Sequence, residues 1–551
     1  MIDYTAPLAD IVFALRYGAE AQRLPDWDEE IALQVLHEAA RFIAAEVAPL
    51  DPLGDTTAAR LEAGRVKLPA AFAAAFQRFR AAGWQGLTVP DNYGGQQLPH
   101  VLAAAVSEML SGACASFQMV LSLAHSASRA ILANGSTAQC QTYLPRLASG
   151  QWLATMCLTE AQAGSDLAQI RSMATPAADG SYRISGAKIF ISGGDQDLTE
   201  NIVHLVLART PDAPKGVKGL SLFLCPAVLS DGSRNSLSCV RLEEKMGLHA
   251  SPTCQMAFDG AYAELLGSKD QGLAHMFVMM NAQRLDVAVQ GVGLADVAAQ
   301  RSRAYAAERR QGKGADGTVV AIGRHDDVRR MLLTQLALIG GCRALLLRTF
   351  VDMQLGHKPL LIEFLTPLAK AFCTDAAVDA AQLAIQVHGG YGYLREYRVE
   401  QVLRDARITQ IYEGTNGIQA ATLADRVLRL QGGAAAAAFR DEVQEVIGLA
   451  TPATAAALRA ALLSWDGATA SLLGRAGAGI AATSYLRLSA LLAVGTAWAR
   501  LEAAAEHATQ PQQLRAAAAF FRERLLSECA GLARLVEQPF DLAALDDAVF
   551  E

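Results

Sequence analysis

From residue 29 onward apolar side chains return at Ile31, Val35, Ala39, Ile43 and Val47. This fourfold spacing predicts a helix over 29–47, which Pro49 and Pro52 are expected to stop. A second helix is expected over 69–82, closed by Gly83 and followed by the turn-rich run Pro90-Asp91-Asn92-Tyr93-Gly94-Gly95. Further helix is expected from 98 to 147. Near Trp152 the texture changes: 182–184, 202–208, 220–225 and 254–258 are strand-like and parted by Gly, Asp, Ser and Pro. Helical periodicity resumes over 272–430, broken by a glycine-containing stretch at 312–323 that reads as a loop. Gly432-Gly433 then opens an Ala/Leu/Arg-rich helical region. No repeat of solenoid length is visible. The pattern divides the chain into an arm (1–28), a helical domain (29–151), an inserted β domain (152–265), a helical domain (266–431) and a further helical region (432–551). The expected class is mainly α with an inserted β domain.

Composition narrows the function. At 551 residues, 52% hydrophobic and 19% charged, the chain can build several packed cores. A net charge of −7 gives no basic footprint for nucleic acid. The C-terminal arginines Arg515, Arg522, Arg524 and Arg534 alternate with Glu506, Glu523, Glu528 and Glu537, the pattern of a solvated helix face. Nine scattered cysteines without a CxxC pair read as reduced, buried thiols of a cytoplasmic protein. The first residues carry Asp3 and Asp10 and no basic run, which argues against a secretory signal. The apolar run 488–498, bracketed by Arg487 and Arg500, is too short to span a bilayer. His249 and His325 have no ligand-type companions in sequence, so no metal is expected.

The chemistry concentrates in Gln386-Val387-His388-Gly389-Gly390-Tyr391-Gly392-Tyr393 and in Ile411-Tyr412-Glu413-Gly414-Thr415. Paired glycines let a backbone approach a pyrophosphate closely. A lone carboxyl beside an aromatic and a glycine, in an apolar setting, is placed to have a raised pKa. Taken singly, each element reads more readily as a glycine turn between helices or an ordinary surface glutamate; together they do not.

Together with Met156-Cys157-Leu158-Thr159-Glu160-Ala161-Gln162-Ala163-Gly164-Ser165-Asp166, with Lys188-Ile189-Phe190-Ile191-Ser192-Gly193-Gly194 and with Lys245-Met246-Gly247-Leu248-His249-Ala250-Ser251-Pro252-Thr253, these blocks resemble the acyl-CoA dehydrogenase family, in order, over 29–431. Asp3-Tyr4-Thr5-Ala6-Pro7, Ile11-Val12-Phe13 and the region after Gly433 resemble its long subgroup, which includes 3-methylmercaptopropionyl-CoA dehydrogenases. The resemblance implies an N-terminal α-helical domain, a β-barrel-like middle domain, a four-helix bundle and an added C-terminal helical domain. It implies FAD as cofactor and an acyl-CoA oxidised to a trans-2-enoyl-CoA.

The resemblance also implies residue roles. Met156, Leu158 and Thr159 would meet the flavin, Phe190 would pack on its ring, and Ser192 would face the N5 edge. The family often has Trp and Thr at those last two positions. Gln386, Gly389 and Gly390 would contact the FAD diphosphate of a neighbouring subunit, so a homodimer or dimer of dimers is expected. Thr415 would touch the cofactor near the base. Arg309 lies where the family carries an arginine for the partner's FAD, although the usual Phe-Gly after it is absent. Ser165, Arg284, Tyr412 and Gly414 would bind substrate, with chain length set near 113–123 and Tyr412. The family's base sits either at the position of Glu413 or at that of Gln283, and an amide cannot take a proton, so Glu413 is expected to be catalytic. His388 reads as a spacer and Cys157 as a small core residue. An electron-transfer flavoprotein is the expected electron acceptor. An oxygen-using acyl-CoA oxidase, a DNA-binding alkylation-response flavoprotein and a flavin scaffold without turnover are the competing readings.

Overall fold

A computed structural model of the chain describes residues 4–542 together with 545 and 549. Met1–Asp3 of the expected arm and the other residues of 543–551 lie outside the described residues. The first long helix, α1 (Glu29–Phe42), continues through a π turn at Ile43–Val47. Its buried face is Ala32, Leu36, Ala39, Ile43 and Val47, whereas Ile31 is 47% exposed. At 3.6 residues per turn a strict fourfold repeat drifts off one face, and the buried stripe corrects this with one step of three. Pro52 does not stop the chain either. It occupies the first turn of a new helix, Leu50–Thr56, where its missing N–H has no intrahelical partner to lose.

The chain forms two compact units, Glu38–Asp286 and Met1–His37 with Val287–Glu551. In the first, α2 (Ala70–Ala81) buries Phe72, Ala75, Phe76 and Phe79. The rings of Phe72 and Phe79 meet Phe117 edge-on at 5.9 and 6.0 Å. Phe117 lies on α3 (His100–Asn134), which kinks at Cys114 (φ −160°, ψ 96°). A capping box between Ser136 and Gln139 then starts α4 (Thr137–Ala148).

Seven strands follow: β1 (Trp152–Cys157), β2 (Met173–Pro176), β3 (Tyr182–Ser192), β4 (Asn201–Arg209), β5 (Leu220–Pro226), β6 (Leu237–Leu242) and β7 (Thr253–Leu265). The pairing order β1-β4-β2-β3-β7-β5 closes on itself through β4–β5, with β6 paired to β7. The result is barrel-like. β1 runs parallel to β4, and β3 antiparallel to β7. Strands β2 and β6 were not among the strand-like runs read from the sequence; β2 has only four residues and ends in Pro176, and pairing imposes its conformation.

In the second unit α5 (Gly272–Glu308, from Val287 on), α6 (Asp326–Leu355) and α7 (Pro359–His388) are the long helices, with a fourth segment broken into α8 (Val399–Arg407) and α9 (Asn416–Ala421). Buried Gln335 ties three of them together, donating to Ser302 Oγ at 3.0 Å and to the Ala380 carbonyl at 2.8 Å. Gly291 permits close contact, since a Cβ there would lie 2.6 Å from the Cys373 carbonyl oxygen. The expected loop at 312–323 contains a hairpin instead, Arg310–Lys313 paired with Val319–Ala321, turned by Gly317 (φ 77°) with Asp316 accepting from Thr318. Its first strand, Arg310–Lys313, is polar, and its second, Val319–Ala321, is too short to show alternation.

The added helices are α10 (Ala434–Leu449), α11 (Pro452–Leu473), α12 (Ala481–Ala503), α13 (Pro511–Phe520) and α14 (Cys529–Glu537). They dock on the bundle: Phe439 stacks on Phe364 at 4.6 Å, and the Trp498 indole donates to the Ala337 carbonyl at 2.8 Å. The arm docks there too, through Glu20 paired with Arg348. All nine cysteines are buried, and none is in a disulfide. Two helices among the described residues are long and apolar enough to cross a bilayer, α3 and α6, and 83% and 67% of their apolar windows are buried in the protein.

Candidate active site

The residues expected beside the flavin ring meet in the first unit. β1 ends at Cys157, and Leu158 and Thr159 continue toward β3, where Ile189 N–H donates to the Thr159 carbonyl at 2.9 Å. Beside that contact the pairing of β3 with β7 shifts register between Lys188 and Ile191. Phe190 lies in the shift, with φ 59° and 61% of its surface exposed. A left-handed backbone on an aromatic residue is strained, and an exposed ring loses its burial energy. Both costs fall on the residue expected to pack against a ligand ring. Ser192 closes the strand, half-buried and paired with Thr253.

A charge pair that the sequence reading did not assign holds this geometry. Lys188 is fully buried, and its Nζ donates to Glu160 Oε1 at 2.8 Å and to the Leu158 carbonyl at 3.0 Å. Glu160 also accepts from Ser172 Oγ at 2.6 Å and from the backbone N–H groups of Ser172 and Arg171. Burial alone would raise the Glu160 pKa, but the Lys188 ammonium and these donors hold it down at about 2. Both residues lie within matched sequence blocks. Lys188 shares strand parity with buried Ile184, which was the available signal.

At the start of α5, Gln283 is buried, accepts from Ser126 Oγ at 3.1 Å and donates to Ser122 Oγ at 3.3 Å. Next to it the Arg284 guanidinium donates to Asn281 Oδ1 at 3.1 Å and lies 5.9 Å over the Phe277 ring. Ser165 sits on a separate, exposed turn preceding Asp166, whose carboxylate caps Ala168.

Asp286, one turn on, bridges the kink in α3: Ser107 Oγ and Gln118 Nε2 donate to it at 2.7 and 3.0 Å. Desolvation pushes its pKa up to about 6. A carboxyl raised in the fold favours the protonated form, so its stabilising contribution is complete below about 3.8 and is lost as pH rises through about 6. The slope is at most about 1.4 kcal/mol per pH unit. Asp286→Asn is expected to flatten the decline in melting temperature between pH 4 and 6. A variant whose melting curve keeps the wild-type slope there would refute this.

In the second unit a surface pocket of about 720 Å³ brings together Arg309, Gln386, Gly389 and Gly390, with His388 and Tyr391 in its wall. Arg309 lies 5.5 Å over the Tyr391 ring. Gly389 has φ 60°, and, chain neighbours aside, no described residue comes within 4 Å of where a Cβ would stand on it or on Gly390. His388 hydrogen-bonds the Ala384 carbonyl at 2.8 Å and stacks on Tyr305 at 4.2 Å, while burial lowers its pKa. A neutral, stacked imidazole fits a spacer.

The loop bearing the expected base follows α8. The Tyr412 hydroxyl donates to the Gln290 side chain. Half-buried Glu413 and then Gly414 both take left-handed backbone, φ 55° and 87°. Gln419 Nε2 donates to the Glu413 carbonyl at 3.0 Å, and Lys370 Nζ to the Gly414 carbonyl at 2.8 Å. Thr415 caps α9, its hydroxyl accepting from Ile418 N–H at 3.2 Å.

Four family descriptions match the chain in order: acyl-CoA dehydrogenase N-terminal domain at 29–151, middle domain at 155–261, C-terminal domain at 270–428, and acetyl-CoA dehydrogenase C-terminal like at 433–545. The chain belongs to the acyl-CoA dehydrogenase family. This dehydrogenase is 45% identical over 487 residues to the 3-methylmercaptopropionyl-CoA dehydrogenase of Ruegeria pomeroyi, covering 83% of this chain and 82% of that one. Its fold matches Caenorhabditis elegans ACDH-11 in complex with C11-CoA at a TM-score of 0.80 and 21% identity, over 99% of this chain and 97% of that one. It is also 27% identical, at a TM-score of 0.64, to a chain in the structure of the electron transferring flavoprotein of Acidaminococcus fermentans, over 74% of this chain and all of that one. Its activity is the FAD-dependent α,β-dehydrogenation of an acyl-CoA thioester. The side chains present fit that cofactor: Phe190 offers an exposed aromatic face, and Gly389 and Gly390 front open space beside a guanidinium.

Proposed function

We propose that Glu413 is the base of this dehydrogenase, taking the proton from the thioester α carbon. The observation that carries the reading is the backbone of its loop, held left-handed at two consecutive residues by side-chain donors on both carbonyls. Strained, over-determined backbone of this kind is a recurrent property of functional sites. The electrons of the broken Cα–H bond pass into the thioester as its enolate, whose oxygen in this reading accepts from the Glu413 backbone N–H. A preorganised donor contributes a few kcal/mol to such a step. FAD supplies the acceptor for the hydride that leaves the β carbon, completing a trans-2-enoyl-CoA. Met156, Leu158, Thr159, Phe190 and Ser192 hold the ring side of the cofactor in this reading, and Thr415 a position near the base. Gln386, Gly389, Gly390 and Arg309 hold a diphosphate from a neighbouring subunit, which makes the active unit a homodimer or dimer of dimers. Ser165 and Arg284 receive the CoA portion, and Tyr412 and Gly414 the acyl end.

The five-part domain division and a cytoplasmic location belong to the same reading. Likeness to the Ruegeria pomeroyi enzyme supports a sulfur-containing propionyl thioester, with linear short-to-medium acyl-CoAs as alternatives. Likeness to the chain in the Acidaminococcus fermentans structure supports an electron-transfer flavoprotein as acceptor. Anaerobic titration with propionyl-, butyryl-, octanoyl- and 3-methylmercaptopropionyl-CoA tests the substrate. The sulfur-containing or a short linear thioester is expected to bleach the flavin absorbance at stoichiometric addition. Bleaching by none of the four would overturn the substrate assignment.

A further inference from the structure

The strongest unassigned feature is a fully buried lysine beneath the base loop. Lys370 has no exposed surface, and its Nζ reaches the Gly414 carbonyl at 2.8 Å and Asn416 Oδ1 at 3.0 Å. Asn416 in turn donates to the Ala371 carbonyl at 3.1 Å and to Asp375 Oδ1 at 2.8 Å, which also accepts from Gln410 at 2.6 Å. Gln419, also fully buried, donates to the Glu413 carbonyl at 3.0 Å and to the Gly414 carbonyl at 3.4 Å. Its Oε1 is buried without a partner among the described residues. An amide kept in an orientation that leaves its acceptor unsatisfied is held there for its donor. Two buried donors therefore fix the carbonyls of two adjacent left-handed residues, one of which, Glu413, pays a steric penalty for that conformation.

We propose that Lys370, with Gln419, is a positioning residue for the catalytic base: it locks the 413–414 peptide and so sets the direction of the Glu413 carboxyl. The inference rests on the reading of Glu413 as the base. Without the ammonium, Gly414 is free to rotate about backbone angles that only glycine tolerates, and residue 413 relaxes with it. Small displacements of a reacting group cost about 10²-fold in rate.

The test is Lys370→Met in the FAD-loaded enzyme. Expected are a kcat lower by about 10- to 100-fold, a KM within about threefold of wild type, unchanged FAD content, and a larger isotope effect on kcat with α-deuterated substrate, because proton removal becomes slower. Gln419→Leu should move kcat and the isotope effect in the same direction, and it decides the matter if Lys370→Met fails to fold. A wild-type isotope effect, with activity falling only in proportion to FAD content, would overturn the proposal. Loss of FAD by both variants would overturn it too, since the role would then be structural. If Glu413→Gln turns over normally, the assignment of the base has failed. If that variant is inactive while Lys370→Met behaves as wild type, only the positioning role has failed.

Discussion

Glu413→Gln is expected to bind FAD at wild-type stoichiometry and to lose at least three orders of magnitude in kcat. The amide has nearly the shape of the carboxylate, and the contacts that set the loop are made to backbone carbonyls, so the substitution leaves them in place. What disappears is the proton acceptor. General-base assistance contributes about 10²- to 10⁴-fold on its own, and an α C–H acid as weak as a thioester depends on it heavily. The other family position for a base cannot compensate, because Gln283 is an amide held between Ser122 and Ser126. Stopped-flow reduction by a saturating acyl-CoA measures the step directly. A rate within tenfold of wild type would dismiss Glu413 from the mechanism.

The largest expected effect on stability comes from Lys188→Met. The substitution leaves the Glu160 carboxylate buried without its ammonium, and breaking a buried pair from one side costs about 3–5 kcal/mol. The double variant Glu160→Gln with Lys188→Met removes both charges and should recover part of that loss. The pair also predicts an acid-side dependence. The Glu160 pKa is depressed to about 2 from an ordinary 4.5, so its contribution is fully present above about 4.5 and is lost as pH falls through about 2. Denaturant unfolding of the three proteins at neutral pH checks the magnitude. A loss below 1 kcal/mol for Lys188→Met would show that the pair does not hold the barrel edge. Because Lys188 also donates to the Leu158 carbonyl and lies two residues from Phe190, weakened FAD binding should accompany the instability.

Legibility varied by feature. The order of helical and β regions could be read from periodicity, and the family from matched blocks. The direction of α1 was off by one residue, Ile31 for Ala32, because apolar spacing alone does not say which of two adjacent stripes faces the core. The hairpin within 310–321 was missed because its first strand is polar and exposed and its second, Val319-Val320-Ala321, is too short to show alternation. Arg309 is exposed and lines one surface pocket with Gln386, Gly389 and Gly390, a grouping that its place in the sequence does not give.

The sequence by itself determined the family, the succession of domains and the residue types available for chemistry, since those properties reside in local periodicity and short motifs. Only the tertiary structure decided that Lys188 neutralises Glu160 across 28 residues, and that Lys370 grips a carbonyl 44 residues away. Whether a charged side chain is solvated or buried depends on which partner the fold delivers, and no local pattern encodes that partner.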